Sequence, residues 1–230
     1  MRIDVISAVP KLLESPIDHS IVKRARKAGL AEILIHDLRD FTKDKHRRVD
    51  DTPYGGGAGM VLSAQPIFDC IEQLLRQRRY DHIIYTAPDG KLFNQTEANR
   101  ISLSENIIIL CGHYKGVDHR VREQLITAEY SIGDYVLSGG ELPALVMIDS
   151  LIRLIPGSIG DAESALEDSF QNGLLGPPVY TRPADFRGHQ IPDELQSGNH
   201  KLINEWRSNI SLERTKQLRP DLFQNYLDNH

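Results

Sequence analysis

Short β-branched runs alternate with stretches of helical period through the first 155 residues, and nothing else in the chain restricts its fold as strongly. Arg2 to Ile6, Ala31 to Asp37, 82–86 (HIIYT), 106–111 (NIIILC) and 128–132 read as strands. Between them, Ile21 to Ala28 reads as a helix stopped by Gly29, and a longer helix starts from an N-cap at Ser63 and runs to about Arg78. Helical stretches follow near 95–103 and 118–126, and an apolar helix runs from Glu141 to about Ile155. Strands joined by helical crossovers lie parallel, so the expected class is α/β: a mostly parallel sheet with helices on both faces.

The pattern changes after Pro156. Residues 157–176 hold glycines and acids without sustained periodicity and read as a linker. It separates a first domain, 1–156, from a small helical domain, 177–230, with helices near 199–210 and 221–229. That second domain is too short for a strong core of its own and is expected to lean on the first domain or on a second subunit. Arg39 to Gly59 reads as a further stretch without regular structure.

Glycines gather where the strands end. SIGDYVLSGGELPA (131–144) reads as two turns leading into the last apolar helix, with Gly133, Gly139 and Gly140 free to take positive φ or to approach a ligand closely. HIIYTAPDG (82–90) and NIIILCGHYKG (106–116) end in the same kind of punctuation. Open α/β sheets bind ligands beyond the carboxyl ends of their strands, so three glycine-bearing exits imply one shared pocket lined by backbone groups. The run Gly55, Gly56, Gly57, Ala58, Gly59 has no following GK[ST], and Met60 and Leu62 fall where a closing GxGxxG glycine would be. Neither a P-loop nor an ordinary dinucleotide fold is therefore expected.

Composition narrows the class. Apolar residues make up 40% and charged residues 26% of the 230, as in a globular protein. No apolar run approaches the roughly 18 residues of a membrane span, and Asp4 and Pro10 interrupt the N-terminal segment, so no membrane and a cytoplasmic location are expected. Cys70 and Cys111 sit in apolar segments without metal-ligand spacing, the nine histidines form no HExxH pattern, and no structural metal is expected. A net charge of −5 is not that of a dedicated nucleic-acid binder. Two basic clusters offset this: Lys23, Arg24, Arg26, Lys27, and Lys43, Lys45, His46, Arg47, Arg48. Each reads either as a solvated face or as a patch for an anionic partner.

Taken together, VDDTPYGGGAGM (49–60), CGHYKGVD (111–118), SIGDYVLSGGELPA (131–144), LIPG (154–157), SALEDSF (164–170), VYTRP (179–183) and SGNH (197–200) closely resemble the bacterial TrmD family of tRNA guanine-N1 methyltransferases. The resemblance follows the family's order over nearly the whole chain. It implies a SPOUT fold, whose C-terminal sheet region is tied in a trefoil knot around S-adenosylmethionine. It also implies a homodimer with active sites shared between subunits, and tRNA gripped by the small domain. The implied reaction is methylation of N1 of the guanosine immediately 3′ of the anticodon.

By the same resemblance, the methyl donor would contact Tyr85, Pro88 and Gly90; Gly112, Tyr114 and Gly116; and Ile132, Gly133, Tyr135, Leu137, Gly139, Gly140 and Pro143. Guanine N1 carries a proton near neutral pH, and its loss pushes charge onto O6, so a carboxylate base and a cationic partner suit the chemistry. Asp168 matches the family's general base and Arg153 its electrophilic partner. Without the family, Asp168 reads as a helix cap and Arg153 as a helix C-terminal charge.

The chain departs from many members at His113 and Lys115, where they carry Arg and Glu, and near Gly176, where they carry an acid. Lys115 puts a cation where a carboxylate is usual, which leaves a role for magnesium open. For RNA, Arg24, Lys43, His46, Arg47 and Arg48 are candidates for phosphates, and Asp50 with Gly55, Gly56, Gly57 and Gly59 for the flipped guanine and its 5′ neighbour. His200, Lys201 and Arg207 are candidates in the small domain, on a helix that reads equally well as a solvated amphipathic face with Trp206 as its core. Two alternatives remain at this point: a ribose 2′-O-methyltransferase of the same fold, and a non-catalytic RNA-binding protein.

Overall fold

The computed structural model describes residues 1–159 and 168–229. The chain divides into two compact units, Met1–Gly160 and Asp161–His230.

The first unit is built on a five-stranded, all-parallel sheet of order β2-β1-β6-β5-β7, from β1 (Arg2–Ser7), β2 (Glu32–Asp37), β5 (His82–Leu92), β6 (Asn106–Cys111) and β7 (Ala128–Ser131). Period-two alternation splits the β-branched runs between two cores. Ile3, Val5, Ile84, Ile107, Ile109 and Cys111 face one way, into a cluster shared with α1 (Lys11–Ile17), α2 (Ser20–Lys27), α4 (Gln95–Ile101) and α6 (Glu141–Ile152). Ile6, Ile83, Tyr85, Ile108 and Leu110 face the other way, toward α3 (Ala64–Gln77) and α5 (His119–Leu125). The sheet is therefore covered on both faces, and its strands are buried apolar runs for that reason.

Several elements depart from the sequence expectation. Ser63 holds the N-cap position of α3, but its side chain accepts no capping bond. The last apolar helix stops at Ile152 and tightens into i→i+3 bonds, Leu154 N–H to Leu151 O and Ile155 N–H to Ile152 O, before Pro156. The stretch 39–59 is not without structure: Leu38–Asp40 forms a 3₁₀ turn, and β3 (Asp50–Asp51) pairs antiparallel with β4 (Val61–Leu62), closing the glycine run into a loop.

In the second unit a small ribbon of β8 (Asp185–Phe186) and β9 (His189–Gln190) precedes α7 (Asp193–Gln196), α8 (His200–Leu218) and α9 (Pro220–Asn229). α8 runs two turns beyond the expected end near residue 210 because its buried face there is polar. Thr215 Oγ1 donates to Ser211 O at 2.6 Å and accepts from Leu175 N–H at 2.9 Å. Residues 160–167 of the expected linker lie outside the described residues; within 168–176, Leu174 is buried and Gly176 N–H donates to Ser169 Oγ.

Candidate active site

β6, β5 and β7 are neighbours in the sheet, so their carboxyl ends open side by side. Together with the segment leading into α6 they enclose a cavity of about 440 Å³, within the range of small-molecule sites. Tyr85, Pro88, Gly112, Tyr114, Gly116, Ile132, Gly133, Tyr135, Leu137, Gly139, Gly140 and Pro143 all line it. Sequence reasoning missed other lining residues, notably Thr86, Asp89, Arg122, Tyr130 and Val136, while His113 and Lys115, noted as departures from many family members, line the cavity too.

Gly90 is not in the lining. Thr86 and Lys91 both pair with Tyr130, so Ala87 to Gly90 bulge out of the ladder and carry Ala87, Pro88 and Asp89 to the cavity. A Cβ on Gly90 would fall 2.6 Å from Tyr130 N. Its glycine lets β5 return to β7 after the bulge.

The two glycines before α6 are required by close approach. Gly140 N–H donates to Gly112 O at 2.7 Å, and a Cβ there would overlap Thr86 Oγ1 and Gly112 N. Gly139 bridges to His113, and its Cβ would overlap Glu141 Oε2 and the His113 ring. The segment after β7 is thus pressed against the exits of β5 and β6, leaving backbone as the cavity wall.

Buried charge organises the same wall. Glu141, in the first turn of α6, is 1% exposed. Its Oε1 accepts from Ser7 Oγ at 2.7 Å, and Ser7 Oγ accepts from Val9 N–H. The helix N-terminus favours that carboxylate. His113 Nδ1 is buried without a hydrogen-bond partner among the described residues and lies 4.0 Å from Glu141 Oε2. On the other side, Arg122 stacks 5.5 Å from the Tyr85 ring centroid while paired with Glu129 and with Asp89 at 2.8 Å. That pairing raises the Arg122 guanidinium pKa and holds the Asp89 carboxyl below its usual value. Burial pushes the Tyr85 phenol up.

Cys111 lies beneath the cavity, its thiol pushed well up by burial and then by Glu141, and Cys70 is pushed up to about 12 by burial. Neither has the character of a nucleophile. Among the described residues no cluster of His, Cys, Asp or Glu is arranged to hold a metal ion, and no helix is long and apolar enough to cross a membrane.

Arg153 is the C-cap of α6, its N–H bonded to Asp149 O. Asp168 is half-buried in the second unit, and its carbonyl accepts from Gln171 N–H. Arg24 is exposed on α2. Lys43, Arg47 and Arg48 are exposed but pair with Asp69, Asp40 and Asp44, and His46 is exposed beside them. Asp50 sits on β3, and Gly55, Gly56, Gly57 and Gly59 form an exposed loop with positive φ throughout. His200, Lys201 and Arg207 are exposed on α8, where the Asn199 side chain caps the first turn.

Comparison with known proteins gives these features a context. The family described as tRNA (Guanine-1)-methyltransferase TrmD matches residues 1–225. Similar curated proteins carry the name tRNA (guanine-N(1)-)-methyltransferase. One from Azobacteroides pseudotrichonymphae is 59% identical over 96% of this chain and all of its own length. One from Bacteroides thetaiotaomicron is 59% identical over 97% of this chain and all of its own length. One from Christiangramia forsetii is 60% identical over 96% of this chain and 98% of its own.

Proposed function

The chain belongs to the tRNA (guanine-1)-methyltransferase TrmD family, and we propose that it methylates N1 of the guanosine immediately 3′ of the anticodon, with Asp168 as general base and Arg153 stabilising charge at O6. It is a tRNA (guanine-N1)-methyltransferase, and the family's methyl donor is S-adenosylmethionine. The observation that carries the assignment to a site is the cavity at three adjacent strand exits, bounded by Gly112, Gly139 and Gly140 where any Cβ would intrude.

That cavity suits the donor. Its volume is of the right order, its walls at Gly112, Gly139 and Gly140 offer backbone groups to an adenine edge, and Ile132, Leu137 and Pro143 offer apolar cover to its faces. The donor, when bound, supplies an electrophilic sulfonium methyl. The remaining tasks fall to the chain. Asp168 accepts the N1 proton, and Arg153 bonds to O6 as negative charge develops there. Arg24, Lys43, His46, Arg47, Arg48, His200, Lys201 and Arg207 meet phosphates, while Asp50 and the loop Gly55–Gly59 take the flipped guanine. Lys43, Arg47 and Arg48 must trade carboxylate partners for phosphate, a small cost for exposed pairs.

The reading includes a trefoil knot, a homodimer sharing its active sites, a small RNA-gripping domain after the linker, and action in the cytoplasm. The bond from Gly140 N–H to Gly112 O and the bridge between His113 and Gly139 support a tightly threaded segment before α6. For the dimer, α6 is apolar on both sides: Met147, Ile148 and Leu151 are buried, while Leu142 and Val146 are 55% and 45% exposed. An outer helix face that exposes Leu142 and Val146 beside Asp149 gains from cover, and a second copy would supply it.

The test is transfer of labelled methyl from S-adenosylmethionine to tRNA transcripts carrying guanosine or another base after the anticodon, followed by nucleoside identification. 1-Methylguanosine from the guanosine transcript alone is expected. A 2′-O-methylated product, or binding without transfer, would select one of the two alternatives instead.

A further inference from the structure

The glycine loop and the cavity are stitched together. Lys115 N–H donates to Met60 O at 3.0 Å, Leu62 N–H to Gly116 O at 3.0 Å, and Asp118 N–H to Leu62 O at 2.9 Å. The Lys115 side chain lies along this seam. A Cβ on Gly59 would fall 3.0 Å from Lys115 Cε, and one on Gly57 4.0 Å from Nζ. Gly59 is required as glycine by its φ of +93°, and the Lys115 stem packs against the space its missing Cβ leaves.

Lys115 lines the cavity and is exposed. Unlike Lys43, Arg47 and Arg48, it pairs with no carboxylate among the described residues. The loop beside it carries donors as well as flexibility. Gly56 N–H bonds to Pro53 O, whereas among the described residues the N–H groups of Gly55, Gly57 and Gly59 donate to no other backbone carbonyl. Uncommitted amides next to an unpaired ammonium form a place for anionic oxygen.

We infer that Lys115 and the loop Gly55–Gly59 seat a phosphodiester of the RNA at the mouth of the cavity, setting the position of the target nucleotide. The inference rests on the tRNA reading above. A phosphate is favoured over the donor's carboxylate because the ammonium lies against the exposed loop, 4.0 Å from where a Cβ on Gly57 would stand.

Lys115→Met keeps the stem on Gly59 and removes the charge. Binding of a tRNA transcript to the full chain would be measured across salt concentrations, alongside binding of S-adenosylhomocysteine, which retains the donor's carboxylate. The expected result is weaker tRNA binding with a log–log salt slope reduced by about 0.7–0.9, as for one lost phosphate contact. S-adenosylhomocysteine affinity is expected to stay unchanged, and Lys115→Arg to restore the slope. An unchanged slope overturns the inference, and lost S-adenosylhomocysteine affinity with an intact slope reassigns Lys115 to the donor's carboxylate. A wild-type chain that neither binds nor methylates tRNA would sink the underlying reading, whereas an active wild type with an unaltered Lys115→Met slope sinks this inference alone.

Discussion

His113 Nδ1 and Glu141 Oε2 face each other at 4.0 Å across the backbone of Gly139. Because the second carboxylate oxygen holds Ser7, a single buried side chain ties the end of β1, the exit of β6 and the start of α6 to one wall of the cavity. The shape of the proposed donor site is therefore set in part by Glu141 and Ser7, which do not line the cavity.

The glycines at that wall should tolerate no side chain. Gly140→Ala would drive a methyl into Thr86 Oγ1 and into the backbone at Gly112 N and Cys111 Cα; the hydroxyl can turn aside, but the backbone yields only by displacing the end of β6. S-adenosylhomocysteine binding by titration calorimetry is expected to weaken by more than about tenfold, or about 1.4 kcal/mol. Retained affinity would mean that the wall moves more easily than its contacts imply.

Removing the carboxylate behind the wall should act on stability as well as on binding. Glu141→Leu leaves the Ser7 hydroxyl without its acceptor in a buried site and His113 facing an apolar group. Orphaned buried polar groups cost about 1–3 kcal/mol each. Chemical denaturation should reveal a loss of that order, with weaker donor binding beside it. A loss of stability without any change in donor affinity would show that the wall keeps its shape by other means.

The proposed chemistry separates from binding by mutation. Asp168→Ala is expected to leave S-adenosylhomocysteine affinity intact and to reduce turnover by roughly 10²- to 10⁴-fold. Arg153→Ala is expected to lower kcat by about 10²- to 10³-fold, as for loss of one oxyanion donor. Single-turnover methyl transfer with saturating tRNA measures both. Near-normal turnover in Asp168→Ala would remove it as the base.

Where the sequence was informative, the reason was burial. The five strands are legible because both faces of a parallel sheet are apolar, and glycines mark the three strand exits, while the individual site residues, twelve of which line the cavity, came from the resemblance to the TrmD family. Arg122 and Tyr130 were not, since their place beside the cavity depends on how α5 and β7 pack, which no local pattern records. Helix α1 was missed because Pro10 precedes its seven residues and Pro16 lies within them, and both look like loop punctuation. The extension of β5 was hidden for a similar reason. Pro88 and Gly90 end a strand by propensity, yet pairing with β7 carries it on to Leu92.

Acid should destabilise the first unit through Asp4, which is fully buried on β1. Burial raises its pKa, but hydrogen bonds from His36, Arg2 and Tyr80 outweigh that and bring it from 3.8 to about 2. A carboxyl whose folded pKa is depressed contributes stability that is fully present above its unfolded pKa and lost as pH falls through the folded one. The window therefore runs from about pH 4 down to about pH 2, and the shift corresponds to about 2 kcal/mol. Denaturant midpoints followed between pH 6 and pH 2 should fall in that range for the wild type. Asp4→Asn should be less stable at neutral pH, because Arg2 and His36 lose their acceptor charge, and its curve should be flatter below pH 4. Parallel curves for the two proteins would show that other carboxylates, Glu97 with its own pKa of about 2 first among them, carry the acid sensitivity instead.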